Sequence, residues 1–187
     1  MLKNILLLTF AFASLAQAET LTIDPSASKL VYLAKKLAGE HTGEVKLASG
    51  SLNFEKDNLT SGEFEIDMTS ITNTDIKSAE YQKKFLGHIA SEDFFGIDKF
   101  KTAKLVIKSA KKEKGSMYKV TADLTIKGVT APITFDADVT KQKAQAKVVF
   151  DRTAYGIKYG SGKFFQNLGD KMIMDDVQLN VLLAAKK

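Results

Sequence analysis

Residues 63–69 alternate without interruption. Phe64, Ile66 and Met68 fall on one side, and Glu63, Glu65, Asp67 and Thr69 on the other. A period of two with one apolar face predicts a half-buried β-strand. The same pattern recurs along the chain: Leu52 and Phe54; Ala103, Leu105 and Ile107; Tyr118, Val120, Ala122, Leu124 and Ile126; Ile133, Phe135, Ala137 and Val139; Ala144, Ala146, Val148 and Phe150; Val177, Leu179, Val181 and Leu183. Residues 20–23 start a short strand ended by Asp24-Pro25, and 29–36 read as a strand with no clear inward face. Gly39 to Gly43 reads as a break, 44–47 as a short strand and 56–61 as a turn. Lys111, Lys112 and Lys114 beside Gly115-Ser116 mark a hairpin tip, and Lys127-Gly128-Val129-Thr130 a tight connection that Pro132 leaves.

One stretch, 78–105, breaks the alternation. Ser78 is suited to cap a helix, with Glu80 in its first turn to complement the dipole. Tyr81 and Phe85, then Leu86 and Ile89, make an apolar stripe at helical spacing. Ser91 is placed to cap a second short helix, with Glu92 and Asp93 following and Gly96 to stop it. Phe94, Phe95, Ile97 and Phe100 add aromatic and apolar surface that needs burial. A helical plug packed on a sheet is implied, in a position to cover the mouth of a cavity.

About eight strands joined mostly by short turns make an antiparallel meander. Closing it into an up-and-down barrel removes the exposed edges and leaves an interior able to hold one small ligand. A β-sandwich fits the alternation as well; the single lid-like insertion favours the barrel. The fold expected is therefore all-β, a lipocalin-like antiparallel barrel with a helical insertion between central strands.

The inward faces form an apolar set: Phe54, Phe64, Ile66, Met68, Leu105, Ile107, Leu124, Ile126, Phe135 and Phe150. Phe85, Leu86, Ile89, Phe94, Phe95 and Phe100 are candidates for lid and wall, and Arg152, Tyr155 and Tyr159 for the opening. Either side chains fill the barrel, or an elongated apolar ligand does, gaining about 25 cal/mol per Å² of buried surface along its length.

Composition narrows the address. Lys3, the apolar run from Ile5 to Leu15 and Ala16-Gln17-Ala18 have the form of a secretory signal peptide over 1–18, cleaved after Ala18, with an uncleaved anchor as the alternative. Residues 19–187 then form one domain, periplasmic or secreted, of about 169 residues, enough for a core. With no Cys there is neither a disulfide framework nor thiolate chemistry. The net charge is +5, but Arg152 is the single Arg, which argues against nucleic acid and leaves transient contact with an anionic membrane surface. The strand 29–36 could pair across a homodimer.

Chemistry is thinly represented. His41 and His88 lie on different segments, and no HExxH, GxSxG or phosphate-loop motif occurs. Ser91, His88 and Asp93 are close in sequence, but helix caps account for Ser91 and Asp93. Asp136/Asp138 and Asp175-Asp176 are either cation ligands or solvated outer-face residues. Asp151-Arg152 reads as an ion pair or a head-group contact. No metal, cofactor or catalytic residue is expected.

Three separated segments carry a family resemblance. FLGHIASEDFFGIDKFKTAKL (85–105), ADLTIKGVTAPITF (122–135) and FDRTAYGIKYGSGKF (150–164) resemble, in order, signature segments of the YceI-like family of secreted bacterial polyisoprenoid-binding proteins. Lys101 departs from a Pro usual before Thr102-Ala103, and Lys36 from a His common in the first long strand. The resemblance implies a lipocalin-like barrel whose lumen holds a polyisoprenoid, such as a quinone tail or polyprenyl phosphate, as a carrier without covalent chemistry. A lipid- or quinone-modifying enzyme using Tyr155, His88 or Asp151, and a secreted stress or adhesion module with a filled barrel, are the alternatives.

Overall fold

A computed structural model describes residues 18–187. The expected signal peptide, except Ala18, lies outside the described residues. Nine strands follow in chain order: β1 (Ala18–Thr22), β2 (Lys29–Lys36), β3 (Gly39–Glu55), β4 (Asn58–Asp67), β5 (Thr102–Lys112), β6 (Met117–Ile126), β7 (Val129–Val139), β8 (Lys143–Asp151) and β9 (Ile173–Ala184). One helix, α1 (Ala79–Ala90), stands between β4 and β5. All pairings are antiparallel, and β3 with β4 closes the sheet. β1 and β2 run in the same direction along one edge of β3, opposite Ser51–Glu55 and Gly39–Val45, so they occupy one strand position. Among the described residues the result is an eight-stranded antiparallel barrel with one helix, the fold expected from the alternation together with the lid-like insertion, and not the β-sandwich that the alternation alone also fits.

Turn chemistry sets the register. Lys56 and Asp57, and Lys127 and Gly128, all have positive φ, the conformation that two-residue hairpins need to match strand twist. At Gly128 a Cβ would sit 3.0 Å from the Phe100 ring, so the turn also lacks room for one. The inward alternation supplies a single core running from Ile23 and Leu52 through Val120 and Ala122 to Ile157.

The structure corrects several expectations. Gly39 to Gly43 is no break: β3 runs unbroken for 17 residues. Gly43 is glycine because the Thr72 carbonyl approaches there, and a Cβ would lie 2.0 Å from that oxygen. β4 begins at Asn58 and ends at Asp67, where the Asp67 side chain accepts from Thr69 N–H and turns Met68–Ser70 into a 3-10 turn. Ser91 caps no second helix. It closes α1, donating from its N–H and its hydroxyl to the His88 carbonyl, and 91–99 is a run of turns. Pro132 lies inside β7, opposite Asp123. β8 reaches β7 only at Ala137–Val139, so the proline meets no strand on that side and its missing N–H costs nothing. The strand 29–36 is bonded to β3 on one side and β9 on the other, which removes it as a free edge for a partner copy.

Candidate functional site

The barrel encloses a cavity of about 480 Å³. Every strand except β1 contributes to its lining. On β9, lining residues run from Ile173 to Leu183, about 33 Å along the strand at ~3.3 Å per residue. The space is therefore long and narrow. Small side chains keep it open: Ala34, Ala103, Ala137, Ala144 and Ala146 all face it.

Of the residues singled out from sequence, Phe64, Ile66, Met68, Phe85, Ile89, Phe94, Phe95, Leu105, Ile107, Leu124, Ile126, Phe135, Phe150, Arg152 and Tyr159 line the cavity. Phe54, Leu86, Phe100 and Tyr155 do not. Phe54 is buried opposite Leu59 beside the β3–β4 turn, in the core of the closed end. Phe100 packs outside the lumen, over Gly128. Leu86 is half-buried away from the lining. Tyr155 is 1% exposed, edge-on to Phe150 at 5.8 Å, and its hydroxyl has no partner among the described residues. Tyr81 faces solvent, so the inner stripe of α1 is Phe85, His88 and Ile89.

Other lining residues escaped the sequence reading. Leu30, Tyr32, Ala34 and Lys36 form the inner face of β2. Both faces of 29–36 carry apolar residues, which hid that choice. Val177, Leu179, Val181 and Leu183 of β9 show clean alternation, a signal sufficient to place them.

Polar side chains gather toward one end. Tyr32, Lys35, Lys36, His41, His88, Arg152, Tyr159, Asp170 and Lys171 line the mouth half, and only Gln145 lines the other. α1 is tied down there. His41 Nδ1 lies 2.8 Å from Asp75 Oδ2, and the His41 ring rests 4.6 Å from Phe85. Asp75 Oδ1 accepts from Thr42 N–H at 2.8 Å and from the Asn73 amide at 2.6 Å. Gln82 of α1 donates to the Asn73 carbonyl at 2.7 Å. Burial pushes Asp75 up, but the bonds from Thr42, His41 and Asn73 outweigh it and hold the carboxyl below its usual value. His88 meets Phe94 at 4.8 Å and Tyr159 at 4.6 Å, both edge-to-face, joining α1 to the loop after β8.

Arg152 organises that loop. It is 2% exposed. Its Nε donates to the Met174 carbonyl, Nη1 to those of Ile157 and Tyr159, and Nη2 to that of Ile173, at 2.8–3.1 Å. Asp175 lies 3.4 Å from Nη2. Burial pushes the guanidinium down and Asp175, then Asp151, push it back; an arginine stays charged under such conditions. Asp151 pairs with Lys163 at 2.7 Å rather than with its neighbour Arg152. Burial raises the Asp151 carboxyl, and bonds from Lys163 and Thr153 lower it further than burial raises it. Arg152 thus borders the cavity with its donors already committed to backbone carbonyls.

The other candidates are dispersed. The Ser91 hydroxyl binds the His88 carbonyl and not the ring, while His88 Nε2 is 3.5 Å from Asp93. No hydrogen bond joins any two of Tyr155, His88 and Asp151 among the described residues. Asp136 is paired with Lys119 at 2.7 Å, and no group of three or more His, Asp or Glu among the described residues is placed to share a metal ion.

A closed antiparallel barrel around a long apolar cavity, with a helix beside its mouth, defines a lipocalin-like protein. A family model for the YceI-like domain matches residues 21–185, and the chain belongs to that family. It is 34% identical over 97 residues to UPF0312 protein plu2095 of Photorhabdus laumondii, covering 52% of this chain and 47% of that protein. It is 31% identical over 100 residues to Protein YceI of Shigella flexneri, covering 54% and 49%. The matches thus span about half the length of these curated relatives. Among solved structures, BcnA of Burkholderia cenocepacia superposes with a TM-score of 0.71 at 22% identity, over 88% of this chain and 99% of that one. A polyisoprenoid-binding domain from Saccharophagus degradans gives 0.61 at 17% identity, over 88% and 97%. Both share the fold.

Proposed function

We propose that this protein binds and carries a long apolar lipid chain of the polyisoprenoid type, a quinone or polyprenyl lipid, without covalent chemistry and outside the cytoplasm. The observation that carries the reading is the shape and chemistry of the lumen: one elongated cavity, apolar along its length, with polar side chains collected at one end. Such a space matches a molecule with a long hydrocarbon tail and a small polar head. Tail burial supplies affinity in proportion to length, and His41, His88, Tyr159 and Lys36 stand where the head would sit. Family membership and the fold shared with a structure described as polyisoprenoid-binding support the ligand class. The N-terminal segment 1–18, with its apolar run and small-residue cleavage pattern, supports a periplasmic or secreted location.

Native mass spectrometry on protein purified from a bacterial periplasm, with denaturing release of bound small molecules, tests this. A stoichiometric adduct giving isoprene-unit fragments is the expected result. Empty protein that also fails to take up added quinone or polyprenol from detergent solution would overturn it.

A further inference from the structure

The hairpin tips of the barrel differ in one respect. Lys56-Asp57, 113–116, Lys127-Gly128 and 140–142 are polar, as exposed turns usually are. The β2–β3 tip is Leu37-Ala38, and Leu37 is 58% exposed. It stands at the mouth, where Leu37 N–H donates to the Met172 carbonyl and joins the tip to the loop 158–172. That loop exposes Phe164 and Phe165, 48% and 47%. Tyr159 and Met174 are also largely exposed and line the cavity too, so the apolar rim is continuous with the lumen.

Charge surrounds these side chains. Lys35, Lys36 and Lys171 line the mouth, and Lys158 Nζ sits 4.8 Å over the Phe164 ring. Lys163 is engaged by Asp151 and Asp175, whereas Lys35, Lys36, Lys158 and Lys171 have no ion pair among the described residues. Exposed aromatics ringed by unpaired lysines match the boundary of an anionic bilayer, where rings enter among the acyl chains and ammonium groups meet phosphates.

We propose that the mouth is a docking surface for an anionic lipid bilayer: Leu37, Phe164 and Phe165 insert, Lys35, Lys36, Lys158 and Lys171 face the head groups, and the lumen opens onto the membrane. The inference rests on the lipid-carrier reading, because a tail leaving a bilayer through this opening would cross little water. Its geometry, however, concerns the surface alone.

The test is flotation of the purified protein with extruded vesicles that contain no isoprenoid, either phosphatidylethanolamine with phosphatidylglycerol or phosphatidylcholine alone. Wild type should float with the anionic vesicles and much less with the neutral ones, and raising salt from about 50 mM to about 500 mM should release it. The triple variant Leu37→Ser, Phe164→Ser, Phe165→Ser changes exposed residues outside the cavity lining. It should lose association about tenfold or more, while still taking up polyprenol from detergent solution as wild type does. Equal binding to both vesicle types, or a triple variant that floats like wild type, would overturn the proposal. So would absence of flotation together with self-association in sedimentation that the triple variant abolishes, which would assign the surface to a second copy. Flotation by a protein that takes up no polyprenol from detergent would leave the docking surface standing and remove the carrier reading instead.

Discussion

At the closed end of the barrel, strands turn back through hairpins of two to four residues, and Tyr118 plugs the base with its hydroxyl bonded to Leu59 N–H at 3.3 Å. At the mouth two short hairpins, Leu37-Ala38 and Lys127-Gly128, stand beside two long irregular segments, 68–101 and 152–172, which are held by buried or half-buried polar groups. The base is kept shut by apolar packing and local turn geometry. The mouth is kept in shape by hydrogen bonds between residues far apart in sequence, such as Thr42 with Asp75 and Tyr32 with Thr72. An opening cannot be built from packed side chains alone, so its backbone needs other partners.

The contrast is tested hardest at Arg152. Arg152→Met keeps volume but leaves four carbonyls and Asp175 without their donor. The loss should be about 3–5 kcal/mol, read as a lower urea midpoint. Hydrogen exchange should accelerate first in 157–174 and last in β5 and β6. Uniform acceleration over the whole barrel would show that the two ends are not separately held.

Gly43→Ala comes next. The added Cβ meets the Thr72 carbonyl, a backbone atom already paired with the Tyr32 hydroxyl at 2.7 Å. A cost of about 1–3 kcal/mol is expected, with 71–76 displaced from β3. Calorimetry and amide shifts of that segment check it.

How much of this was legible in the chain follows the same division. β6 and β7 could be placed almost residue by residue, because alternation reports which face is inward and Lys127-Gly128 fixes the turn. In the irregular segments of the mouth the signals are not local, although the Lys127-Gly128 hairpin stands beside them. Gly43 reads as a break in a strand, yet it is there for a carbonyl from residue 72. Ser91 reads as the start of a helix and serves to end one, since the two uses share a residue type. Arg152 follows an aspartate and looks like its ion-pair partner, but its carbonyl partners are supplied by the loop fold. On β2 the cavity lining was missed because both faces are apolar, whereas on β9 the alternation was clear but its inward residues were not carried into the candidate site.

Acid should separate the ends further. Asp75 and Asp151 both titrate below the ordinary carboxylate value in the folded protein. A lowered folded pKa means their contribution is present above the unfolded value of 3.8 and is lost as pH falls through the folded one. The urea midpoint should therefore fall as the pH drops from 3.8 through the folded values. Asp75→Asn should cost about 1 kcal/mol at neutral pH and flatten the fall. Amides of α1, linked to Asp75 by two hydrogen bonds through Asn73 and Gln82, should exchange faster. An unchanged acid slope in this variant would take Asp75 out of the account of the mouth.

The finest comparison is between two buried tyrosines, one at each end. Tyr118 is 2% exposed and its hydroxyl is bonded, so Tyr118→Phe should cost about 0.5–1.5 kcal/mol. Tyr155 is 1% exposed and its hydroxyl has no partner among the described residues, so Tyr155→Phe removes a desolvated group that gains nothing from them in return. That variant should unfold at the same urea concentration as wild type or slightly higher. Burial first, and the Asp151 charge second, push the Tyr155 phenol up to about 12, so a difference titration against Tyr155→Phe should show a phenol ionising there. A loss of stability in Tyr155→Phe as large as that in Tyr118→Phe would mean that the hydroxyl is satisfied by a molecule from outside the chain. Whether adding polyprenol changes that loss would then tell a lipid head group from an ordered water.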